Sequence, residues 1–245
     1  MTESAAATAS AKPSSESFWE DLIDIFYQPA AVFRRRVNGN AWAPFLFVLI
    51  AMAIITYATF PAIQPAIDGD VSRAIPRMLK AYPQLTADQL RSGLDKQSEY
   101  GRYFGAALFG VIVLIDGFLV WLVGKMFGAV ESLGGAMLIA SYAFLPRVLG
   151  TVIGGAEGLL MDPTTLTSAA QLSLGPARFL DPDTASPLTV ALLSRLDVMI
   201  IWQTALLAVG LAVLGKVSRG KAVVFAFTIW LAGSLYVLRN AYLIS

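Results

Sequence analysis

Two residue types are absent: the 245-residue chain contains no cysteine and no histidine. Disulfides, palmitoylation, thiolate nucleophiles, Cys/His zinc sites, His- or Cys-ligated haem and iron–sulfur clusters are thereby excluded. The Ser-His-Asp and Cys-His nucleophile designs are excluded too. Charge is also scarce, at 14% of residues against 56% hydrophobic, with a mean hydropathy of +0.64. A soluble domain cannot cover itself with so few charges, so the composition is that of a polytopic membrane protein. Net charge is +1, which gives no electrostatic footprint for nucleic acid. No Walker loop, dinucleotide-binding glycine signature, metal-ligand spacing or fixed-period repeat occurs, and no catalytic, cofactor or metal site is expected.

What the chain does contain is long apolar stretches. Five are expected to span: about 41–63, 103–124, 133–160, 197–214 and 221–243, each near the roughly 20 residues that cross a hydrocarbon core. The expected fold is an all-α transmembrane bundle of five spanning helices, with an amphipathic amino-terminal segment. Residues 1–16 are Ser/Ala/Thr-rich and read as a disordered tail, 17–40 as the amphipathic segment, and 41–245 as the membrane domain. No apolar core follows a basic amino end, so no cleaved signal peptide is expected.

In the amino-terminal segment, Ser17-Phe18-Trp19-Glu20 has the pattern of a capping box, and Phe18, Leu22, Ile25 and Phe26 follow at helical spacing until Pro29. Arg34, Arg35 and Arg36 come just before the first span. Two readings are open: a basic cluster holding the segment on an anionic leaflet, or a topology signal plus a helix packed on the bundle. Between the first two spans lie about forty polar residues, in which Thr86-Ala87-Asp88-Gln89 is a second capping-box pattern and short surface helices are expected. The basic residues Lys216, Arg219 and Lys221 fall on the same side as the arginine triplet, which predicts a cytoplasmic amino end and an extracytoplasmic carboxyl end. Six basic residues in the long first loop count against this orientation, but acidic residues are interspersed among them.

Ionisable groups at membrane depth are few and costly. Asp116 lies in the middle of the second expected span and Arg147 in the third, so an intramembrane Asp116–Arg147 pair is expected, either as a structural lock or as an ion or proton site. Pro146 lacks the N–H that a helix needs and predicts a kink. Asp197 and Arg239 suggest a peripheral ion pair. Gly150, Gly154 and Gly158 recur every fourth position, as do Gly124 and Gly128; such faces pack helices closely, within one bundle or between protomers.

The run Tyr142-Ala143-Phe144-Leu145-Pro146-Arg147, the segment Leu196–Gln203, the turn Lys216–Ala222 and the Phe26-Tyr27-Gln28-Pro29 approach together resemble the Yip1 domain family, over residues 18–243. The resemblance implies five membrane helices and a cytoplasmic amino end. Eukaryotic members of that family act in vesicle trafficking and bind small GTPases. A bacterial-type member has no such cargo system, so GTPase binding is not carried over. The functional expectation is a non-enzymatic protein of the bacterial cytoplasmic (inner) membrane that organises or scaffolds it through helix association. The lipid bilayer is its expected partner, together with further copies or other membrane proteins, and no cofactor or nucleic acid is expected. The alternative is a small-solute or ion transporter or channel using Asp116 and Arg147.

Overall fold

In the computed structural model, which describes residues 17–243, the helices pack around a central broken one. The tail 1–16 lies outside the described residues. Among the described residues every regular element is helical: α1 (Phe18–Asp24), α2 (Pro29–Arg35), α3 (Trp42–Ala81), α4 (Ala87–Met126), α5 (Leu133–Ala143), α6 (Leu145–Leu160), α7 (Pro187–Ser194), α8 (Val198–Leu214) and α9 (Arg219–Leu243), with two short 3₁₀ turns between α6 and α7. Four stretches are long and apolar enough to cross a membrane: α3, residues Ala107–Met126 of α4, α5 with α6, and α9. The pair α7 and α8, bent by 46°, makes a fifth if it is counted as one span.

The two capping boxes form as expected. Ser17 Oγ accepts from the Glu20 N–H while Glu20 Oε2 accepts from the Ser17 N–H, and Thr86 and Gln89 do the same at the start of α4. Between spans the expectation of short surface helices does not hold. α3 continues through Pro61, Pro65 and Pro76 to Ala81, a five-residue turn follows, and α4 begins at Ala87. An internal proline costs an isolated helix about 3 kcal/mol. Here α3 lies against α4 along its length and against α6, so tertiary packing outweighs the local penalty. Forty residues make each helix about 60 Å long, roughly twice the hydrocarbon thickness. The two together form a hairpin packed on the linker as far as Arg77, with its tip at the turn beyond.

The third span is interrupted at Phe144, where α5 ends and α6 begins with Pro146 in its first turn. The Arg147 N–H bonds the Phe144 carbonyl 2.9 Å away, three residues back, tightening the chain around the missing proline donor. α5 is the buried axis of the fold, with Leu138 through Ala143 all enclosed by α3, α4 and α8. The bundle therefore has two distinct ends. At the near end, α1 and α2, the α4–α5 loop and the α8–α9 turn come together, joined by the Val130 N–H to Gly215 carbonyl bond of 3.0 Å. At the far end lie the α3–α4 hairpin and the 161–186 linker, tied by Arg73 to Asp183 and by the Ala169 N–H to Asp70.

The glycine face of α6 is occupied within the chain. A Cβ on Gly158 would stand 3.0 Å from Ile63 of α3, one on Gly150 3.0 Å from Met199 of α8, and one on Gly154 3.4 Å from the Leu172 carbonyl. Gly155 approaches Thr59 so closely that no side chain fits between them. Gly124 likewise faces Leu211 and Glu131, whereas Gly128 is a turn residue with φ +82°, a left-handed conformation that suits glycine, rather than part of a packing face.

Candidate functional site

Three polar arrangements stand out in a molecule otherwise built from apolar contacts, and each occupies a different level of the bundle. The first is at the near end. α1 and α2 fold back as a helical hairpin whose apolar residues Ile25, Val32 and Phe33 are fully buried against α5 and α8. Phe33 packs edge-on to Tyr142 with ring centroids 6.2 Å apart, and a Cβ on Gly210 of α8 would stand 3.1 Å from the Phe33 ring. This close docking encloses Asp21 completely. A buried carboxylate requires compensation, and Asp21 receives three donors: Arg35 Nη2 at 2.8 Å, Arg36 Nε at 2.5 Å and the Tyr142 hydroxyl at 2.7 Å. Arg35 also bridges to Asp24 at 2.7 Å. Hydrogen bonds from Tyr27 and Arg35 hold the Asp24 carboxyl below its ordinary range.

The arginine triplet is thus divided. Arg35 and Arg36 turn inward to acidic partners, while Arg34 stays exposed and folds onto the Ala30 carbonyl at 2.9 Å. Of the two readings open from the sequence, this geometry is that of a helix pair packed on the bundle rather than a free basic cluster. Sequence reasoning missed Asp21 and Tyr142. The available signal was the i, i+3 pair Asp21 and Asp24 on the helix preceding three arginines.

The second arrangement is at mid-bundle. The Asp116 carboxylate accepts a hydrogen bond from Gln203 Nε2 at 3.2 Å, which joins α4 to α8. Arg147 and Arg195 lie within electrostatic range of Asp116, but neither makes an ion pair with it within 4.0 Å. The expected Asp116–Arg147 pair is therefore a looser cluster, because the direct partner of Asp116 is an uncharged amide. Arg195 Nε instead donates to Ser234 Oγ of α9 at 3.0 Å. Asp197 serves as the α8 amino cap, accepting from the Met199 and Leu174 N–H groups and from Ser173 Oγ at 2.8–3.0 Å. It forms no ion pair with Arg239, which is exposed. A backbone cap so close in sequence takes the carboxylate before a distant guanidinium can.

The third is a cavity of about 780 Å³ at the far end, between α3, α6, α7, α9 and the linker. Arg147, Gly150 and Thr151 of α6 and Arg73 and Arg77 of α3 are among its lining residues. Its lining includes nothing from α5 and nothing of α8 beyond Ile200, so it does not extend to the near end. No group of three or more His, Cys, Asp or Glu side chains able to hold a metal ion occurs among the described residues.

The comparisons bear on the whole of this architecture. The Yip1 domain family model matches residues 23–239, from the first docked helix nearly to the end of α9. The chain belongs to the Yip1 domain family. This Yip1 domain protein is also similar to the membrane protein YknW of Bacillus subtilis (strain 168), with 26% identity over 221 residues that cover 89% of this chain and 85% of that relative. No solved structure matches the chain. Asp21 and the capping box before it lie just outside the family match, as do Asn240 and Ala241 of the cavity wall, while Arg35, Arg36, Tyr142, Asp116 and Arg147 lie within it.

Proposed function

We propose that this Yip1 domain protein acts without catalysis, as an organiser of its membrane that associates with further copies or with other membrane proteins. The observation that carries the reading is the α3–α4 hairpin. Its two helices, each about 60 Å long, continue past their membrane-spanning parts, a length a simple membrane anchor does not need. The tip displays Tyr82, Leu85 and Tyr100 to the surroundings. Aromatic side chains exposed on a rigid arm are the groups that dominate protein–protein contacts. In the same reading the near end faces the cytoplasm, because Lys125, Lys216, Arg219 and Lys221 cluster there, and the hairpin then points away from it. Transport, the other reading, has no observation in its favour, since the cavity stops short of the near end.

The test is photo-crosslinking from Tyr82, Leu85 and Tyr100 in native membranes, combined with the oligomeric state of purified protein in lipid nanodiscs. Discrete adducts from the hairpin, lost when the three positions are changed to serine, are expected. A strictly monomeric protein with no hairpin adducts overturns the reading.

A further inference from the structure

The far cavity is not an extension of the scaffold reading but a site in its own right. Its volume of about 780 Å³ falls within the 300–1,000 Å³ of small-molecule sites. The balance of charge along its wall indicates what it would accept. Arg73 is committed to Asp70 at 2.8 Å, to Asp183 at 3.2 Å and to the Thr167 carbonyl. Asp70 is committed in return to Arg73 and to the Ala169 N–H. Asp197 is committed to three donors at the α8 cap. The cationic side chains of Arg77 and Arg147 remain; neither makes a hydrogen bond or an ion pair among the described residues.

Arg147 is the more telling of the two. It lies at membrane depth, where a guanidinium without partners is costly, and it lines the cavity. Its charged neighbours, Asp197, Asp116 and Arg195, act on it only through space. Around it the wall is mostly apolar, formed by Ile63, Leu172, Leu174, Leu180 and Val190. A guanidinium with free donors at the end of an apolar chamber is complementary to a carboxylate or phosphate attached to an apolar body.

The geometry points to the far cavity as a binding site for a single-chain anionic amphiphile, its carboxylate or phosphate taken by Arg147 and its chain lying along the apolar wall towards Arg77. The anionic group could belong to a fatty carboxylate, to a lysophospholipid or to free phosphate, and the experiment separates these sources.

Full-length protein in nanodiscs of zwitterionic lipid is titrated with oleate, oleoyl lysophosphatidate, oleyl alcohol and inorganic phosphate, with stoichiometry read by native mass spectrometry. One equivalent of either anionic amphiphile is expected to bind, with oleyl alcohol and phosphate weaker by about tenfold or more, as loss of a charge-assisted contact or of the apolar body predicts. Arg147→Gln should weaken the amphiphile by about tenfold, and Arg147→Lys by less. Ala191→Trp, which leaves Arg147 intact and fills the apolar wall, should abolish binding. Equal binding of oleyl alcohol, equal binding of phosphate alone, or an unchanged affinity in Ala191→Trp each overturns the assignment, and the last holds even if the Arg147 variants fail to fold. None of these outcomes depends on the hairpin, so the scaffold reading can fail while the site remains.

Discussion

The two ends of the bundle handle buried charge in opposite ways. At the near end Asp21 has no solvent exposure and every partner it needs: two guanidinium groups and a phenol within 2.5–2.8 Å. Beside the far cavity, by contrast, the Arg147 guanidinium makes no hydrogen bond or ion pair among the described residues. A satisfied buried network fixes one arrangement of the helices around it, whereas an unsatisfied charge beside open space is a place for something else to bind. The contrast separates the part of the molecule that holds itself together from the part available to a ligand.

The most severe way to break the near end is to remove its acceptor. Asp21→Ala removes the acceptor shared by Arg35, Arg36 and the Tyr142 hydroxyl and should cost about 2–3 kcal/mol, the scale of lost charge-assisted bonds to guanidinium groups that keep some access to solvent. Equilibrium unfolding in mixed micelles measures it, with protease cleavage within residues 18–36 as a local readout; a loss under about 1 kcal/mol would show that the network is dispensable. Tyr142→Phe keeps the ring that packs on Phe33 and deletes one donor, so a loss of about 1–2 kcal/mol is expected by the same assay.

Glu131, in the α4–α5 loop, sharpens the comparison because it is a near-end group that is not compensated. It is 5% exposed, and neither carboxylate oxygen has a hydrogen-bond partner. Burial pushes its carboxyl above the ordinary range, against a lowering contribution from the Lys125 ammonium. A raised carboxyl favours the folded state only while it is protonated, so the native protein loses this stability as pH rises through the raised value. Glu131→Gln should therefore stabilise by about 1 kcal/mol at pH 8, with the gain shrinking as pH falls towards the ordinary carboxylate range. A gain independent of pH, or a net loss at pH 8, contradicts this account.

The smallest effect is expected at the far end. Arg147→Met should change stability by less than about 1 kcal/mol, because no bond is broken and a costly charge is removed. If this variant unfolds as readily as Asp21→Ala, the two ends are equally structural and the contrast disappears.

Much of the architecture could be read from residue patterns alone. The spans, both capping boxes and the break beside Pro146 follow from apolar length, from Ser/Thr with Glu/Gln three residues on, and from a missing N–H; these are local properties. What could not be read depends on contacts distant in sequence. Tyr142 meets Asp21 across 121 positions, and nothing in either neighbourhood announces the other. The Asp116–Arg147 expectation rested on two antiparallel helices, but Gln203, from a third helix, supplies the actual bond. The forty residues between the first two spans read as a loop with short surface helices because they are polar; their continuity as long helices, through Pro65 and Pro76 in α3, comes from the partner helix, which no propensity records. Arg147 stands out in the sequence as a charge at membrane depth, yet the space beside it is a property of how α3, α6, α7 and the linker leave a gap.

The unbroken run of α3 also has a mechanical side. From Pro65 to the tip at Ala81 is sixteen residues, about 24 Å of rod at 1.5 Å per residue. A change of 10° in the angle at Pro65 therefore carries the tip about 4 Å sideways. The same rod carries Arg73 and Arg77, and Arg73 is tied to the linker through Thr167 and Asp183. Whatever grips the hairpin tip thus also pulls on the rim of the cavity: the arm is a lever, and the cavity lies close to its fulcrum.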